Sequence, residues 1–220
     1  MTQSESPPGN GTTKPVRHDR RHLRHEATRR EVLDMAWVMV RADGLASLSL
    51  RALARAVGVE PQSLYTYFSS KHAVFDAMFE TAAAEFAERV TQMSASEDPR
   101  VVLAGIAHRF VEFCTSDVAR YQLLFQRTIP GFEPTPEAFA PAVRALEGVR
   151  GQLADIGITD ARHVDMWTAF TVGLVDQQIS NDPGGNRWSR LVDDLATIFV
   201  AYCAPAKRPA RNPTTKGTRP

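Results

Sequence analysis

Apolar residues recur at helical spacing along almost all of the sequence between residues 25 and 204, and no stretch alternates convincingly with a period of two. Side chains return to one face about every 3.6 residues in a helix and every two residues in a strand, so this pattern predicts helices throughout. We expect an all-α chain of about nine helices, separated by glycine and proline signals.

The apolar segments are too short and too interrupted to cross a membrane. No run approaches the ~18 residues that a spanning helix needs, and a hydrophobic fraction of 43% is ordinary for a globular chain with a core. We therefore predict a cytoplasmic protein without a membrane partner. Cys114 and Cys203 both fall in apolar periodic segments, which favours reduced core thiols over a disulfide.

Charge is distributed unevenly along the chain. Residues 1–75 carry a net charge of +4, residues 76–200 carry −8, and residues 201–220 carry +5. A basic amino-terminal part followed by an acidic middle part favours contact between the amino-terminal part and a polyanion.

The spacing of three residues near position 60 fits a helix-turn-helix. Ala54 is small enough for two helices to cross closely, Gly58 suits a left-handed turn, and Leu64 can anchor the second helix. An ordinary helical hairpin in a core has the same spacing. The polar residues that follow favour DNA: with Leu64 and Phe68 facing inward, the outer side carries Gln62, Ser63, Tyr65, Thr66 and Tyr67.

These polar side chains are suited to a DNA groove. Glutamine can bind adenine through two hydrogen bonds, hydroxyls and a threonine methyl can meet base edges, and tyrosine hydroxyls can reach phosphates. For Tyr65 and Tyr67, a solvated surface or hinge packing is the alternative.

The segment Thr28 to Phe79, with "LSLRALARAVGVEPQSLYTYFSSKHAVFDAMF" at its heart, resembles the DNA-binding domain of the TetR family of bacterial transcriptional regulators. The resemblance implies a three-helix N-terminal domain followed by a helical C-terminal domain that dimerises and binds a ligand. It implies a helix-turn-helix domain at 25–72 and a regulatory and dimerisation domain at 73–204. The composition of the flanking segments, rich in proline, glycine and basic residues, predicts a disordered basic arm at 1–24 and a disordered basic tail at 205–220.

The resemblance also implies roles for single residues. Ser49 would cap the second helix and meet a phosphate, and Arg51 would touch backbone or base. Bases would be read by Gln62, Ser63 and Thr66, while phosphates would be held by Tyr65, Tyr67 and Lys71. Glu60 departs from the Ser or Thr that the family often has before Pro61, and glutamate is disfavoured near phosphate.

The family implies a repressor that binds a palindromic operator as a homodimer and responds to a small lipophilic effector. Later segments resemble a subgroup with a Trp-His-Gly signature, although the histidine is absent at 171–173. Aromatic and polar residues suggest where an effector would bind, and each of them could instead be plain core: Phe110, Phe113, Tyr121, Phe125, Met166, Trp167 and Phe170. Whether ligand releases or promotes DNA binding is left open.

Other functional classes find less support in the sequence. It shows no phosphate-binding glycine loop, nucleophile elbow or metal-spaced cluster, so we predict no enzyme, no cofactor and no metal. His18, His22 and His25 could share a helix face, but the basic arm around them repels cations. That arm, with seven basic and two acidic residues from Lys14 to Arg30, could add DNA contacts. The rival function is a DNA-binding regulator without a small-molecule effector, controlled by a protein partner or by abundance.

Overall fold

The computed structural model describes residues 17–94 and 96–204 of the chain. Every regular element in these residues is a helix, which confirms the predicted all-α class. Two short 3-10 helices, Leu45–Ser47 and Ser189–Leu191, accompany nine α-helices in this part of the chain. The α-helices are α1 Arg17–Asp43, α2 Leu50–Val57, α3 Pro61–Leu64, α4 Lys71–Val90, α5 Pro99–Ser116, α6 Val118–Phe125, α7 Pro136–Asp155, α8 Ala161–Asn181 and α9 Val192–Cys203.

The first helix is longer than predicted. It begins at Arg17 and not at about Glu26, so residues 17–24 of the predicted disordered arm continue α1. Periodicity missed this stretch because its sequence has no apolar stripe, and its single leucine, Leu23, is 63% exposed. The rest of the predicted arm, 1–16, and the predicted tail, 205–220, lie outside the described residues.

Side-chain caps fix the starts of three later helices. The Ser70 hydroxyl accepts the backbone N–H of Ala73 at 3.1 Å in the first turn of α4. Asp98 and Asp160 accept backbone N–H groups at 2.9 Å in the first turns of α5 and α8. Each cap satisfies a donor that the helix itself leaves unpaired.

The chain forms two compact units. Of the described residues, the first unit contains 17–81 and Gln122–Ala138, and the second contains Ala82–Tyr121 and 139–204. Three helices, α4, α6 and α7, therefore contribute residues to both units. The predicted domain boundary at residues 72 and 73 lies within α4 and stays a prediction.

The first unit is built on the buried faces of α1, α2 and α4. In α1 the buried positions follow the helical period, and Ala36, Trp37 and Val40 are each less than 10% exposed. Burial of one apolar stripe per helix supplies most of the free energy that holds such a bundle together. Other large buried side chains include Leu53, Leu64, Phe68, Val74, Phe75 and Met78.

The second unit has its core on α5, α8 and α9. Phe113 and Cys114 on α5 are fully buried. The Trp167 ring on α8 lies 5.1 Å from the Phe199 ring on α9. No helix among the described residues is long and apolar enough to cross a bilayer.

Candidate nucleic-acid interface

A glycine turn joins α2 to α3. Gly58 has φ +78° and ψ +26°, the left-handed conformation that was predicted for it. Its N–H donates to the carbonyl of Arg55 at 3.2 Å, and the N–H of Val59 donates to the carbonyl of Ala54 at 3.0 Å. These two bonds form a Schellman motif, which ends α2 and redirects the chain into α3.

The recognition segment, defined here as Pro61–Phe68, is held by two buried anchors. Leu64 is 1% exposed and Phe68 is 2% exposed, as expected from their spacing. Only Pro61–Leu64 is α-helical, and tighter bonds follow: the N–H of Thr66 donates to the carbonyl of Ser63, and that of Tyr67 to the carbonyl of Leu64. The segment is thus one helical turn extended by a 3-10-like turn.

The polar side chains of the recognition segment face away from these anchors. Gln62, Ser63, Tyr65 and Thr66 are exposed, and the exposed fraction of Tyr65 is 57%. The Thr66 hydroxyl donates to the carbonyl of Ser63 at 2.7 Å, which leaves its methyl group and its oxygen lone pairs for a ligand.

Tyr67 is half-buried and packs against α1. Its ring centroid lies 4.6 Å from that of His25, with the two planes tilted by 31°. Next to it, the guanidinium carbon of Arg29 lies 5.0 Å from the Phe68 ring centroid, within cation–π range. Reasoning from the sequence missed both α1 residues, because the pairing of distant segments leaves no periodic signal.

Glu60 precedes the recognition segment without capping it through its side chain. The residue is exposed, and its backbone carbonyl accepts the N–H groups of Ser63 at 2.9 Å and Leu64 at 3.2 Å. No side-chain cap bond is made at this position. The main chain of Glu60 therefore starts α3, and its carboxylate extends into solvent.

Ser49 and Arg51 lie at the start of α2. Ser49 occupies the N-cap position, with φ −133° and ψ 129°, and its carbonyl accepts the N–H of Leu53 at 2.8 Å. Its hydroxyl makes no cap bond, so the expected side-chain cap is absent. Both residues are exposed.

Lys71 opens α4 and is tied to the first 3-10 helix. Its Nζ donates to the carbonyl of Ala46 at 3.0 Å and lies 5.5 Å from the Phe75 ring centroid. An ammonium group carries three donors, so this bond leaves two for another acceptor. Residues 45–75 contain three basic side chains and a single acidic one, Glu60. The surface around the recognition segment therefore favours anions.

The residues predicted to bind an effector differ in their burial, in their contacts and in the unit to which they belong. Phe110 and Phe113 pack on Phe86, with ring centroids 5.9 and 5.1 Å apart, inside the second unit. The buried Tyr121 hydroxyl donates to Asp176 at 2.7 Å. Phe125 belongs instead to the first unit and is 37% exposed.

The three predicted effector residues on α8 differ in burial. Trp167 is buried against Phe199, Met166 is half-buried, and Phe170 is 43% exposed with its centroid 6.2 Å from that of Phe199. Their role in effector binding stays a prediction. No group of three or more His, Cys, Asp or Glu side chains that could hold a metal occurs among the described residues.

Charged residues around Phe113 were not anticipated. The Arg89 and Arg120 guanidinium carbons lie 5.6 and 5.5 Å from its ring centroid. Both arginines also pair with Glu85, at 2.9 and 2.8 Å. Arg89 lies four residues after Glu85 on α4, whereas Arg120 lies on α6, far from Glu85 in the sequence. Neither spacing predicts a charged cluster around a buried ring, because charged residues on a helix usually mark a solvated face.

Comparison with known proteins connects this geometry to a family. Residues 32–78, from α1 to α4, match the family model described as bacterial regulatory proteins, tetR family. This segment belongs to the TetR family. The match covers the glycine turn and the recognition segment, and it confirms the resemblance expected from the sequence.

The individual relatives are distant in sequence. HTH-type transcriptional regulators of Mycobacterium bovis and Mycobacterium tuberculosis are 28% identical over 130 residues, which is 56% of this chain and 50% of theirs. The chain thus spans about half the length of the curated relatives it matches.

Solved structures share the fold at low identity. The crystal structure of the regulatory protein SCO4313 is 19% identical with a TM-score of 0.69, covering 86% of this chain and 100% of that one. A single-residue variant of TetR from Acinetobacter baumannii AYE, in complex with minocycline, is 22% identical with a TM-score of 0.52, covering 80% and 97%.

Proposed function

We propose that this chain is a DNA-binding transcriptional repressor that reads a palindromic operator as a homodimer. The observation that carries the proposal is the recognition segment, in which Leu64 and Phe68 are buried while Gln62, Ser63 and Thr66 are exposed. Buried anchors fix the backbone, so the exposed side chains can enter a major groove in a defined register. A partner of this kind is consistent with a cytoplasmic protein.

The candidate DNA-contacting residues divide by chemistry into two roles. Gln62, Ser63 and Thr66 present amide, hydroxyl and methyl groups, which distinguish base edges in the major groove. Around them lie hydroxyls and cations that suit phosphates, on Ser49, Tyr65, Tyr67, Lys71 and Arg51, and the Arg51 guanidinium could also meet a base edge. The bond from Lys71 to Ala46 supports this role, because it holds the ammonium in one place.

A second copy of the chain is the proposed partner of α8 and α9. Apolar side chains are exposed on these helices, where Phe170, Ile198 and Tyr202 have exposed fractions of 43%, 67% and 51%. Large exposed apolar groups on neighbouring helices favour a protein interface. Two recognition segments in a dimer would then read half-sites about 34 Å apart.

We also propose that a small lipophilic effector controls DNA binding. This proposal is supported by the aromatic side chains of the second unit and by a structural neighbour in complex with minocycline. An effector would act by favouring one of two dimer arrangements, which requires different affinities for the two.

A regulator without a small-molecule effector is the second candidate. The packing of Phe113, at 0% exposure, and Tyr121, at 1%, favours it, since filled cores do not bind ligands. A thermal-shift screen separates the two: a lipophilic compound that raises the melting temperature supports effector control. Failure of every lipophilic class would support the second candidate.

DNA binding itself is tested by selecting genomic fragments that the protein retains and then measuring affinity for the selected operator. Replacing Gln62 by Ala should relax preference at one base position, while the exposed Gln92→Ala variant should leave it unchanged. Replacing Tyr65 by Ala should weaken binding to all sequences, and Tyr65→Phe separates the hydroxyl from the ring. Unaltered operator binding by Tyr65→Ala would refute the assignment of the recognition segment.

A further inference from the structure

Arg109 on α5 has two buried nitrogen atoms that lack a hydrogen-bond partner. Its Nε and Nη2 are shielded from solvent, and neither donates to an acceptor among the described residues. The residue as a whole is half-buried, and its guanidinium forms no ion pair within this part of the chain. Buried polar groups are nearly always paired, because a charge that is removed from water without compensation is strongly unfavourable. The arginine therefore has room for a partner that the chain itself does not supply.

The two unpaired nitrogen atoms of Arg109 lie on one edge of the guanidinium. The N–H groups of Nε and the neighbouring Nη2 point in parallel, which matches the two oxygens of a carboxylate. The third nitrogen, Nη1, lies over Gly105, one helical turn earlier, where an added Cβ would be 3.2 Å from it. Arg109 thus offers a complete two-donor edge, and this edge fits a planar anion.

The acidic side chains of this region do not neutralise Arg109. Glu85 is already paired with Arg89 at 2.9 Å and with Arg120 at 2.8 Å. Glu112, three residues after Arg109 on α5, is exposed and forms no ion pair with it. A counter-ion for Arg109 therefore has to come from outside the described residues.

Apolar side chains flank Arg109 along α5. Ile106 and Phe110 are buried, and Phe113, one turn after the arginine, is fully buried. The rings of Phe110 and Phe113 pack on Phe86 with centroids 5.9 and 5.1 Å away. Burial also lowers the pKa of Arg109, because the charged form is disfavoured in these surroundings. A ligand that reaches the guanidinium along this side of the helix would meet aromatic rings next to a positive charge.

We infer that Arg109 binds the carboxylate of a lipophilic organic acid through two parallel hydrogen bonds from Nε and Nη2. The inference rests on the proposed effector control and names the chemical class of the effector, since Phe110 and Phe113 are two of the predicted effector residues. The acid supplies the missing counter-ion. A neutral compound of the same shape leaves the buried charge uncompensated, so the site selects an acid over its amide.

The test measures this selectivity by isothermal titration of the full chain. The ligands are octanoate, decanoate and phenylacetate, each compared with its primary amide at neutral pH. At least one acid should bind about tenfold more tightly than its amide, because a charge-assisted pair is stronger than a neutral hydrogen bond. Replacing Arg109 by Met keeps the apolar stem and should reduce this ratio to about one.

Two further variants separate the two-donor edge from charge and from a general effect of losing an arginine. Arg109→Lys keeps the charge but lacks the paired donors, so it should retain only part of the preference for the acid. Arg150→Gln changes an exposed arginine of α7 in the same unit and should leave the preference unchanged. A full preference for the acid in Arg109→Met would overturn the inference.

The remaining outcomes distinguish the possible partners of Arg109. Acids that bind no better than their amides would overturn the inference and leave effector control in place, whereas failure of every compound to bind would overturn both. A dimer that is weakened in Arg109→Met, together with no selectivity for acids in the wild type, would assign the arginine to a carboxylate of a second copy. A wild-type chain that selects acids but retains no genomic DNA would overturn the proposed DNA-binding function and support the acid site.

Discussion

Asp76 holds Thr135 through two hydrogen bonds: one carboxylate oxygen accepts the backbone N–H of Thr135 at 2.7 Å, and the other accepts its hydroxyl at 2.8 Å. Phe132, three residues earlier, packs its ring on Phe75 and His72 with centroids 5.7 and 5.8 Å apart. The segment Gln122–Ala138 is thereby fastened to the first turns of α4, within the first unit.

Replacing Thr135 by Val should loosen this segment. The change removes both bonds of the hydroxyl, the one it donates to Asp76 and the one it accepts from the backbone N–H of Ala138 at the start of α7, and it keeps the backbone bond. The free energy of unfolding should therefore fall by about 1–3 kcal/mol. Hydrogen exchange should become faster between residues 129 and 135. The exposed Thr128→Val variant, in the same segment, is the control and should leave exchange there unchanged. Equal exchange in the two variants would show that the two hydroxyl bonds contribute nothing to the stability of this segment.

Replacing Gly58 by Ala should destabilise the turn between α2 and α3. A side chain at φ +78° costs about 1–2 kcal/mol, because Cβ approaches the following carbonyl. Gly151→Ala is the matched control: this glycine lies within α7, a Cβ there meets nothing within 4 Å, and alanine should stabilise the helix by up to about 1 kcal/mol. Urea unfolding of both variants should therefore show changes of opposite sign, and changes of the same sign would contradict the turn geometry.

Replacing Gln178 by Ala should be among the more damaging polar substitutions in the second unit. Its side-chain oxygen accepts the N–H groups of Trp188 at 2.9 Å and Ser189 at 3.1 Å, and its amide nitrogen donates to Asp182. The side chain is buried, so its loss leaves donors unpaired and should cost about 2–4 kcal/mol.

The neighbouring Gln177 provides the comparison for this prediction. It is exposed and accepts a hydrogen bond from Asn181, so Gln177→Ala should change the free energy of unfolding by less than about 0.5 kcal/mol. Thermal unfolding of the two single variants checks the difference. Similar melting temperatures would mean that the loop before α9 is held by other contacts.

The Cys114 thiol should resist alkylation in the folded protein. Burial raises its pKa far above the usual value, and the negative charge of Asp176 raises it further. The neutral thiol is thus favoured in the fold, and this contribution to stability is present below the unfolded thiol pKa of about 8.5 and is lost as the pH rises towards the folded value. A Cys203→Ser variant leaves Cys114 as the single thiol for measurement. Rapid labelling of the folded variant at pH 8 would contradict the predicted protection.

Local signals predicted much of the fold and of the interface. Gly58, Pro61 and Ser70 each act through their own backbone or one nearby N–H group, so the turn and the starts of α3 and α4 follow from the sequence. Leu64 and Phe68 were expected inside because their spacing matches one helix face.

Contacts between distant segments could not be predicted in the same way. Periodicity shows that Phe110 and Tyr121 have a buried face, but it does not show that one packs on Phe86 and the other bonds to Asp176. The bond between Lys71 and Ala46 spans 25 positions and has no sequence pattern. Likewise, the amino-terminal end of α1 lacks the apolar stripe that reveals a helix.

The recognition segment assigns stability and specificity to different side chains of the same eight residues. Leu64 and Phe68 keep the backbone in place, while Gln62, Ser63 and Thr66 take no part in the core. If the proposed function holds, substitutions at these three positions should alter which operator is preferred at little cost to folding. Duplicated copies of such a gene could diverge towards new operators by single changes at the exposed positions, without compensating mutations elsewhere in the domain.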